Sequence, residues 1–147
     1  MMPMYFKDIV YQSSEYLEMI NLRHKVLREP LGLHFSDDDL RAEGQDQFLG
    51  LYTSRAHTLV ACCVLTFIDA TCCKLRQMAV VDDFQNQGVG KKLLLYAEDV
   101  AKQEGGKLMV LHARKSAVCF YQKSGYELVG EEFIEVGILH VKMKKDI

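Results

Sequence analysis

The sequence predicts an α/β (α+β) protein in which a central sheet carries helices on both faces. Three extended runs, "QFLGLYT", "TLVACCVLTFI" and "CCKLRQMAV", follow one another through the short links "SRAH" and "DAT", the spacing of antiparallel neighbours. An amphipathic helix opens after Gly88, with Val89, Leu93, Ala97, Val100 and Ala101 on one stripe and lysines and acids opposite. Beyond Gly105-Gly106 a strand, a short helix and two further strands complete the pattern.

Taken in order, "YFKDIVY" (Tyr5–Tyr11) is the first strand. Ser14 is placed to cap the helix that follows, because its hydroxyl can accept from an orphan backbone N–H. That helix runs to about Leu27, with Leu17, Ile20, Val26 and Leu27 at helical spacing, and Pro30 and Gly32 end it. "SDDDLRAEG" is a turn or one short helix capped by Ser36 or Asp37. The middle of the three extended runs is apolar almost throughout, as expected of a strand covered on both faces. "KLMVLHA" is a buried strand. "SAVCFYQKSG" is a short helix ending at Gly125 as a left-handed cap, and "YELVG" and "ILHVKMK" form a closing pair.

The 147 residues fit one domain, enough to bury roughly 70% of the unfolded surface. A formal charge of −2 provides no overall basic field for a nucleic-acid partner. No apolar run approaches the roughly 20 residues that span a bilayer. "MMPMYFKDIV" lacks the basic and apolar regions of a signal peptide, so the expected location is the cytoplasm. Of five cysteines, four are adjacent pairs, Cys62-Cys63 and Cys72-Cys73. Neighbours in a strand point to opposite faces, and no C-x-x-C spacing is present, so no metal site is expected.

The chemistry concentrates in "VVDDFQNQGVGKKLL", residues 81–95. A helix N-terminus has unpaired N–H groups and partial positive charge, which suits an anion. Gly88 and Gly90 clear side chains from its mouth, Gln85 and Gln87 add neutral donors, and Lys91 or Lys92 adds charge. The stretch therefore reads as a phosphate site or as a tight turn that needs glycine and binds nothing. It fits neither a dinucleotide G-x-G-x-x-G, since position 93 is Leu, nor a Walker A loop, since Gln85 and Lys92 stand at the Gly and Ser/Thr positions.

What remains is Q-x-x-G-x-G, as Gln85, Gly88 and Gly90, after a strand and opening a helix. This resembles the pyrophosphate-binding loop of the GNAT superfamily of acyl-CoA N-acyltransferases. "AVCFYQKSGYELVG" resembles that superfamily's second signature, A-x-x-x-Y-x-K-x-G-F/Y, and the order of elements is similar over most of the chain. "LRHKVLREPLG" and "GEEFIEVGILHVKM" resemble the ElaA-like branch of small bacterial acetyltransferases. The resemblance implies a single domain over residues 1–147 and a mixed, mostly antiparallel sheet of about seven strands. It also implies acetyl-CoA as acyl donor, an amine as acceptor and no metal. Members are often dimers, which would make a homodimer, although no interface patch stands out in the sequence.

Carried over residue by residue, the resemblance implies an acetyl-CoA site formed by Met78, Ala79 and Val80 on the fourth strand, by Gln85, Asn86, Gln87, Gly88, Val89, Gly90 and Lys91 in the loop, and by Tyr121. In the family the fourth and fifth strands splay, the pantetheine arm lies between them, and the N–H equivalent to that of Val80 is the oxyanion donor. Tyr121 would act as general acid toward the departing thiolate; read from spacing alone, it is rather a core aromatic beside Ala117 and Ser124. Many relatives carry a carboxylate on the fourth strand, where "KLRQMAV" has none. Glu135 and His140 near the closing hairpin are then the candidate bases, with His112 a third that reads more readily as structural. Histidine is the side chain whose unperturbed pKa suits a base at neutral pH. Arg114 stands where many relatives have an Asn that contacts the pantetheine arm.

The acceptor stays open at this level. Glu131, Glu132, Glu135 and Asp37 to Asp39 would suit a cationic amine if they line the cleft, whereas Arg23, Arg28 and Arg41 would suit an acidic one. Two other classes of function compete with the transferase. One is a catalytically silent module that senses an acyl-CoA, suggested by the missing strand carboxylate. The other is a nucleotide-binding or phosphotransfer protein using the same loop.

Overall fold

The computed structural model describes residues 2–147. Seven strands form one sheet in the order β1-β2-β3-β4-β5-β7-β6, as β1 (Met4–Ile9), β2 (Gln47–Thr53), β3 (Leu59–Phe67), β4 (Cys72–Val80), β5 (Leu108–Arg114), β6 (Glu127–Glu135) and β7 (Ile138–Asp146). Every neighbouring pair is antiparallel except β4 and β5. The mixed, mostly antiparallel sheet expected from the sequence is the sheet observed.

Four α-helices accompany it: α1 (Ser14–Arg23), α2 (Asp37–Ala42), α3 (Val89–Gln103) and α4 (Val118–Lys123). Two apolar cores lie on opposite faces of the sheet. One packs Leu93, Ala97 and Ala101 of α3 against Cys63, Leu65, Leu75 and Met109. The other packs Tyr16 and Met19 of α1 against Phe48, Cys62 and Val64. Adjacent Cys62 and Cys63 thus belong to different cores, as strand alternation requires.

Helix α3 is held at its far side as well. Glu98 is buried and accepts from the Tyr126 hydroxyl at 2.8 Å and from Lys145 Nζ at 2.9 Å, tying the helix to the C-terminal strands. Helix α2 is capped by Ser36, one of the two expected caps, in a capping box with Asp39.

The first helix departs from expectation in three ways. Its cap is Ser13, whose hydroxyl accepts from the Tyr16 N–H at 3.1 Å, rather than Ser14. The buried face consists of Tyr16, Met19 and Arg23, leaving Leu17 59% exposed. The regular helix also ends at Arg23 and gives way to a π-helical turn over His24–Arg28, then a 3-10 turn over Glu29–Leu31 closed by Gly32 at φ 70°. Ile20, Val26 and Leu27 of the expected stripe do pack against this core, but the centre of the face is anchored on a charge. Arg23 and Glu43 are 1% and 2% exposed. They form two guanidinium–carboxylate bonds, at 2.7 and 2.9 Å, and the Tyr16 hydroxyl donates to the same carboxylate.

Removing one partner of such a pair strands the other charge without water. Glu43→Ala is expected to cost about 3–5 kcal/mol of folding stability, read by urea denaturation. A loss below about 1 kcal/mol would mean that the pair is not buried in solution.

Candidate active site

The site begins where β4 leaves β5. Their parallel pairing covers only Cys72 to Leu75 against Leu108 to Leu111. Just beyond, β4 carries one more residue than β3 between the Cys62–Ala79 and Val64–Arg76 pairs, a bulge centred on Gln77 at φ 55°. A bulge bends its strand and sharpens the local twist. From Arg76 onward the β5-facing edge of β4 has no strand partner, and a cleft of about 370 Å³ opens there.

Strand alternation sets what that edge offers. The Val81 N–H donates to the Val60 carbonyl on β3 at 2.9 Å. The backbone N–H and C=O of Val80, and of Met78 two residues before, therefore face the cleft side, while Ala79 faces β3 and is buried. Tyr121 reaches the cleft from α4, and its hydroxyl donates to Met78 Sδ at 3.9 Å. Burial first, and then the Cys63 thiol, push the Tyr121 hydroxyl well above its ordinary pKa, so it keeps its proton at neutral pH.

Val80 leads through a 3-10 turn, Asp82–Phe84, to the glycine loop. Asn86 and Gly88 have φ of 61° and 78°. The first bond of α3 runs from the Lys92 N–H to the Gly88 carbonyl at 3.1 Å, so Val89, Gly90 and Lys91 present N–H groups with no acceptor inside the helix. The two glycines have different reasons to be there. Gly88 adopts a left-handed conformation that disfavours side chains. A Cβ on Gly90 would lie 3.3 Å from the Phe120 ring, so Gly90 lets α3 dock on α4.

Gln85 and Gln87 brace the loop from within. Gln85 Nε2 donates to the Val80 carbonyl at 3.0 Å and to Asp82 at 3.1 Å, and Gln87 Nε2 donates to the Asp83 carbonyl at 2.8 Å. The amide donors that the sequence suggested for an anion are engaged here. The donors left for it are backbone N–H groups, with exposed Lys91 at the rim.

On the opposite wall the β6–β7 hairpin turns through Val136 and Gly137, at φ 45° and 79°. This tight turn brings Glu135 and His140 together in the cleft. His140 Nδ1 donates to the Ile138 carbonyl at 3.0 Å, which leaves Nε2 facing Glu135 Oε2 at 3.7 Å. The other carboxylate oxygen accepts from His112 Nδ1 at 3.0 Å, and Lys74 Nζ lies 3.5 Å from the same ring nitrogen. Burial alone would raise the Glu135 carboxyl. The His112 hydrogen bond, with the charges of His112, His140 and Lys74, holds it below its ordinary value.

His112, which the sequence suggested was structural, thus belongs to this cluster, and Lys74 joins it unforeseen. Glu131 and Glu132 do not: both are exposed, and Glu132 pairs with Lys115 at 2.8 Å. Asp38 pairs with Arg41, and Asp39 is occupied in the α2 cap. Arg114 runs toward the loop after α1, where its Nη2 donates to the Leu27 carbonyl at 2.9 Å.

The described residues contain no grouping of three or more side chains suited to a metal ion. Burial pushes the Cys62 and Cys73 thiols up to about 12, consistent with thiols that serve as packing. No described helix is long and apolar enough to cross a membrane.

A model of the GNAT acetyltransferase domain matches residues 35–147. The chain belongs to the GNAT acetyltransferase family. Among curated relatives of this GNAT chain, an uncharacterized N-acetyltransferase of Bacillus subtilis, YjcF, is 36% identical over 74 residues, 50% of this chain and 53% of that protein. The chain spans about half the length of the curated relatives it matches. Escherichia coli ElaA superposes with a TM-score of 0.80 at 20% identity, covering 98% of this chain and 100% of that one. A GNAT family acetyltransferase from Elizabethkingia anophelis, solved with acetyl-CoA bound, superposes with a TM-score of 0.74 at 18% identity, covering 98% of each chain. At these identities the superpositions establish a shared fold.

The Glu135 arrangement has a pH signature. A carboxyl whose folded pKa is depressed stabilises the fold above its ordinary value of 4.5, and that contribution disappears as pH falls through the lower folded value. Because the side chain is 44% exposed, its worth is below about 1 kcal/mol. The stability gap between the wild type and Glu135→Gln should be full above pH 4.5 and close on acidification, as measured by urea midpoints from pH 3 to 6. A gap that widened in acid would reverse the assignment.

Proposed function

We propose that this GNAT protein transfers an acetyl group from acetyl-CoA to a primary amine by direct attack within a ternary complex. The reading is carried by the parting of β4 from β5 past Leu75 and Leu111, which opens a backbone edge leading to the free N-terminal N–H groups of α3. An acyl thioester joined to a pyrophosphate needs these two sites in sequence. The narrow open edge suits the arm, and the helix mouth suits the charge. A nucleotide-binding reading accounts for the loop and leaves the cleft without a purpose.

Acetyl-CoA supplies the activated acyl group; the rest falls to this chain. Met78 and Val80 offer backbone groups along the edge. The Val80 N–H is suited to the oxygen that becomes negative when the amine adds to the carbonyl, a contact worth a few kcal/mol in a preorganised site. As the new C–N bond forms and the C–S bond breaks, the sulfur leaves with the electron pair and accepts from the Tyr121 hydroxyl. In the unbound protein that hydroxyl faces only a thioether, a weak acceptor readily exchanged for a thiolate.

The amine must also lose a proton. Glu135, held ionised, attracts the ammonium, and the His140 Nε2 beside it takes the proton. These groups come from the β6–β7 hairpin, so an acid on β4 is not required, and this favours an enzyme over a silent acyl-CoA sensor.

Tyr121→Phe should lower kcat by about 100-fold while leaving the Kd for acetyl-CoA nearly unchanged, measured by thiol release and by calorimetry. An unaltered rate would remove Tyr121 from the chemistry. Gly90→Val should weaken acetyl-CoA binding by at least about tenfold, or 1.4 kcal/mol, by forcing α3 off Phe120. ATP and NAD should produce no heat with the wild type, and folded protein that ignored acetyl-CoA would overturn the transferase reading.

A further inference from the structure

Arginines near the cleft are treated in two ways. Arg23 has Glu43, at 2.7 and 2.9 Å, and Arg76 has Asp46, at 3.2 Å. Arg28 and Arg114 also line the cleft, yet among the described residues neither forms an ion pair. They converge on one atom instead: the Leu27 carbonyl accepts from Arg114 Nη2 at 2.9 Å and from Arg28 Nη1 at 3.3 Å.

Two guanidiniums sharing one neutral acceptor in a half-buried position repel each other. Burial, followed for Arg28 by the charges of Arg114 and Arg23, disfavours their charged forms. Asp39 and Glu135 partly offset this at Arg28 without contacting it. A π-helical turn, His24–Arg28, holds Leu27 and Arg28 at this place, and such turns recur at functional sites. The cleft as a whole has the same sign, with Arg28, Lys74, Arg76 and Arg114 against the single acid Glu135. Nearby, Gln77 Oε1 is buried with no hydrogen-bond partner.

We propose that Arg28 and Arg114 form a clamp for an oxyanion group, carboxylate or phosphate, on the acceptor, so that the acetylated substrate is an acidic amine. The inference rests on the transferase reading and specifies its substrate class. A guanidinium fork matches a carboxylate or phosphate in two parallel bonds. The substrate's anion then lies at the α1 side of the cleft while its amine lies toward Glu135 and His140. The sequence left cationic and acidic acceptors open, and the cleft favours the acidic one because Glu131, Glu132 and Asp37 to Asp39 do not line it.

The test uses matched pairs of primary amines at saturating acetyl-CoA: α- and ω-amino acids beside their carboxamides, and aminoalkyl phosphonates and phosphates beside the corresponding amino alcohols. Thiol release is the readout. The anionic member should win by at least about tenfold in kcat/KM, because losing it leaves guanidiniums unpaired. The carboxylate and phosphorus arms tell which oxyanion fits better. Arg28→Gln and Arg114→Gln should each shrink the preference, mainly by raising KM, with the acetyl-CoA Kd and melting temperature as checks on folding.

Equal turnover within pairs, a preference for the neutral members, or exclusive use of a polyamine would overturn the clamp, and the wild-type comparison decides this without the variants. A silent panel from protein that binds acetyl-CoA would overturn it too. Failure to bind acetyl-CoA at all is a separate result, and it removes the transferase reading on which the clamp depends.

Discussion

One extra residue in β4 sets the geometry on which the rest of the molecule depends. Opposite Cys63, the strand makes room for Gln77 in a left-handed conformation, and its direction changes. Upstream of that point β4 hydrogen-bonds to β5; downstream it does not. A sheet that stayed paired to the end would bury the backbone groups of Met78 and Val80 in a ladder. Because it does not, a cleft forms between two strands that are rigid elsewhere, and its floor is main chain. The conformation of a non-glycine residue at φ 55° is itself unfavourable by about 1–3 kcal/mol. It persists because Cys62, Cys63 and Val64 are fully buried on either side.

The surrounding parts are braced to keep this opening in place. Helix α3 is fixed at its mouth by Gly90 against Phe120 and farther along by Glu98 to Tyr126 and Lys145. The glutamines of the loop bond inward, so their amides brace the loop rather than face the mouth of α3. On the α1 side, the buried Arg23–Glu43 pair ends α1 and directs the chain into the turn that carries Leu27 and Arg28. A buried ion pair contributes less to net stability than a good apolar contact, but it is directional, and direction is what a site at the end of a short helix needs.

The charges of the cleft are divided between its ends. Toward the hairpin, one carboxylate faces two histidines, with a lysine beside one of them; toward α1, two guanidiniums stand without a counter-ion. A substrate with an amine at one end and an acid at the other would match both. Of the acids grouped in the sequence for a cationic acceptor, Glu135 lines the cleft and Glu131, Glu132 and Asp37 to Asp39 do not.

The sequence by itself determined the elements and the family. Strands β2 and β4, helix α3 with its glycine loop, and the Ala117 to Tyr126 signature are local patterns of period, turn residues and spacing, and such patterns are written in neighbouring residues. The face of α1 was legible only in part, because its buried Arg23 reads as a surface residue until Glu43, twenty positions on, is brought beside it. The meeting of Glu135 with His112 and of His140 with Arg114 was likewise hidden. It arises because β7 inserts between β5 and β6 and pairs Arg114 with His140. Only the tertiary structure decided the bulge at Gln77, the sharing of Leu27 by two arginines, and which acids line the cleft. Each depends on strand order and on side chains distant in the chain, and local propensity carries no record of either.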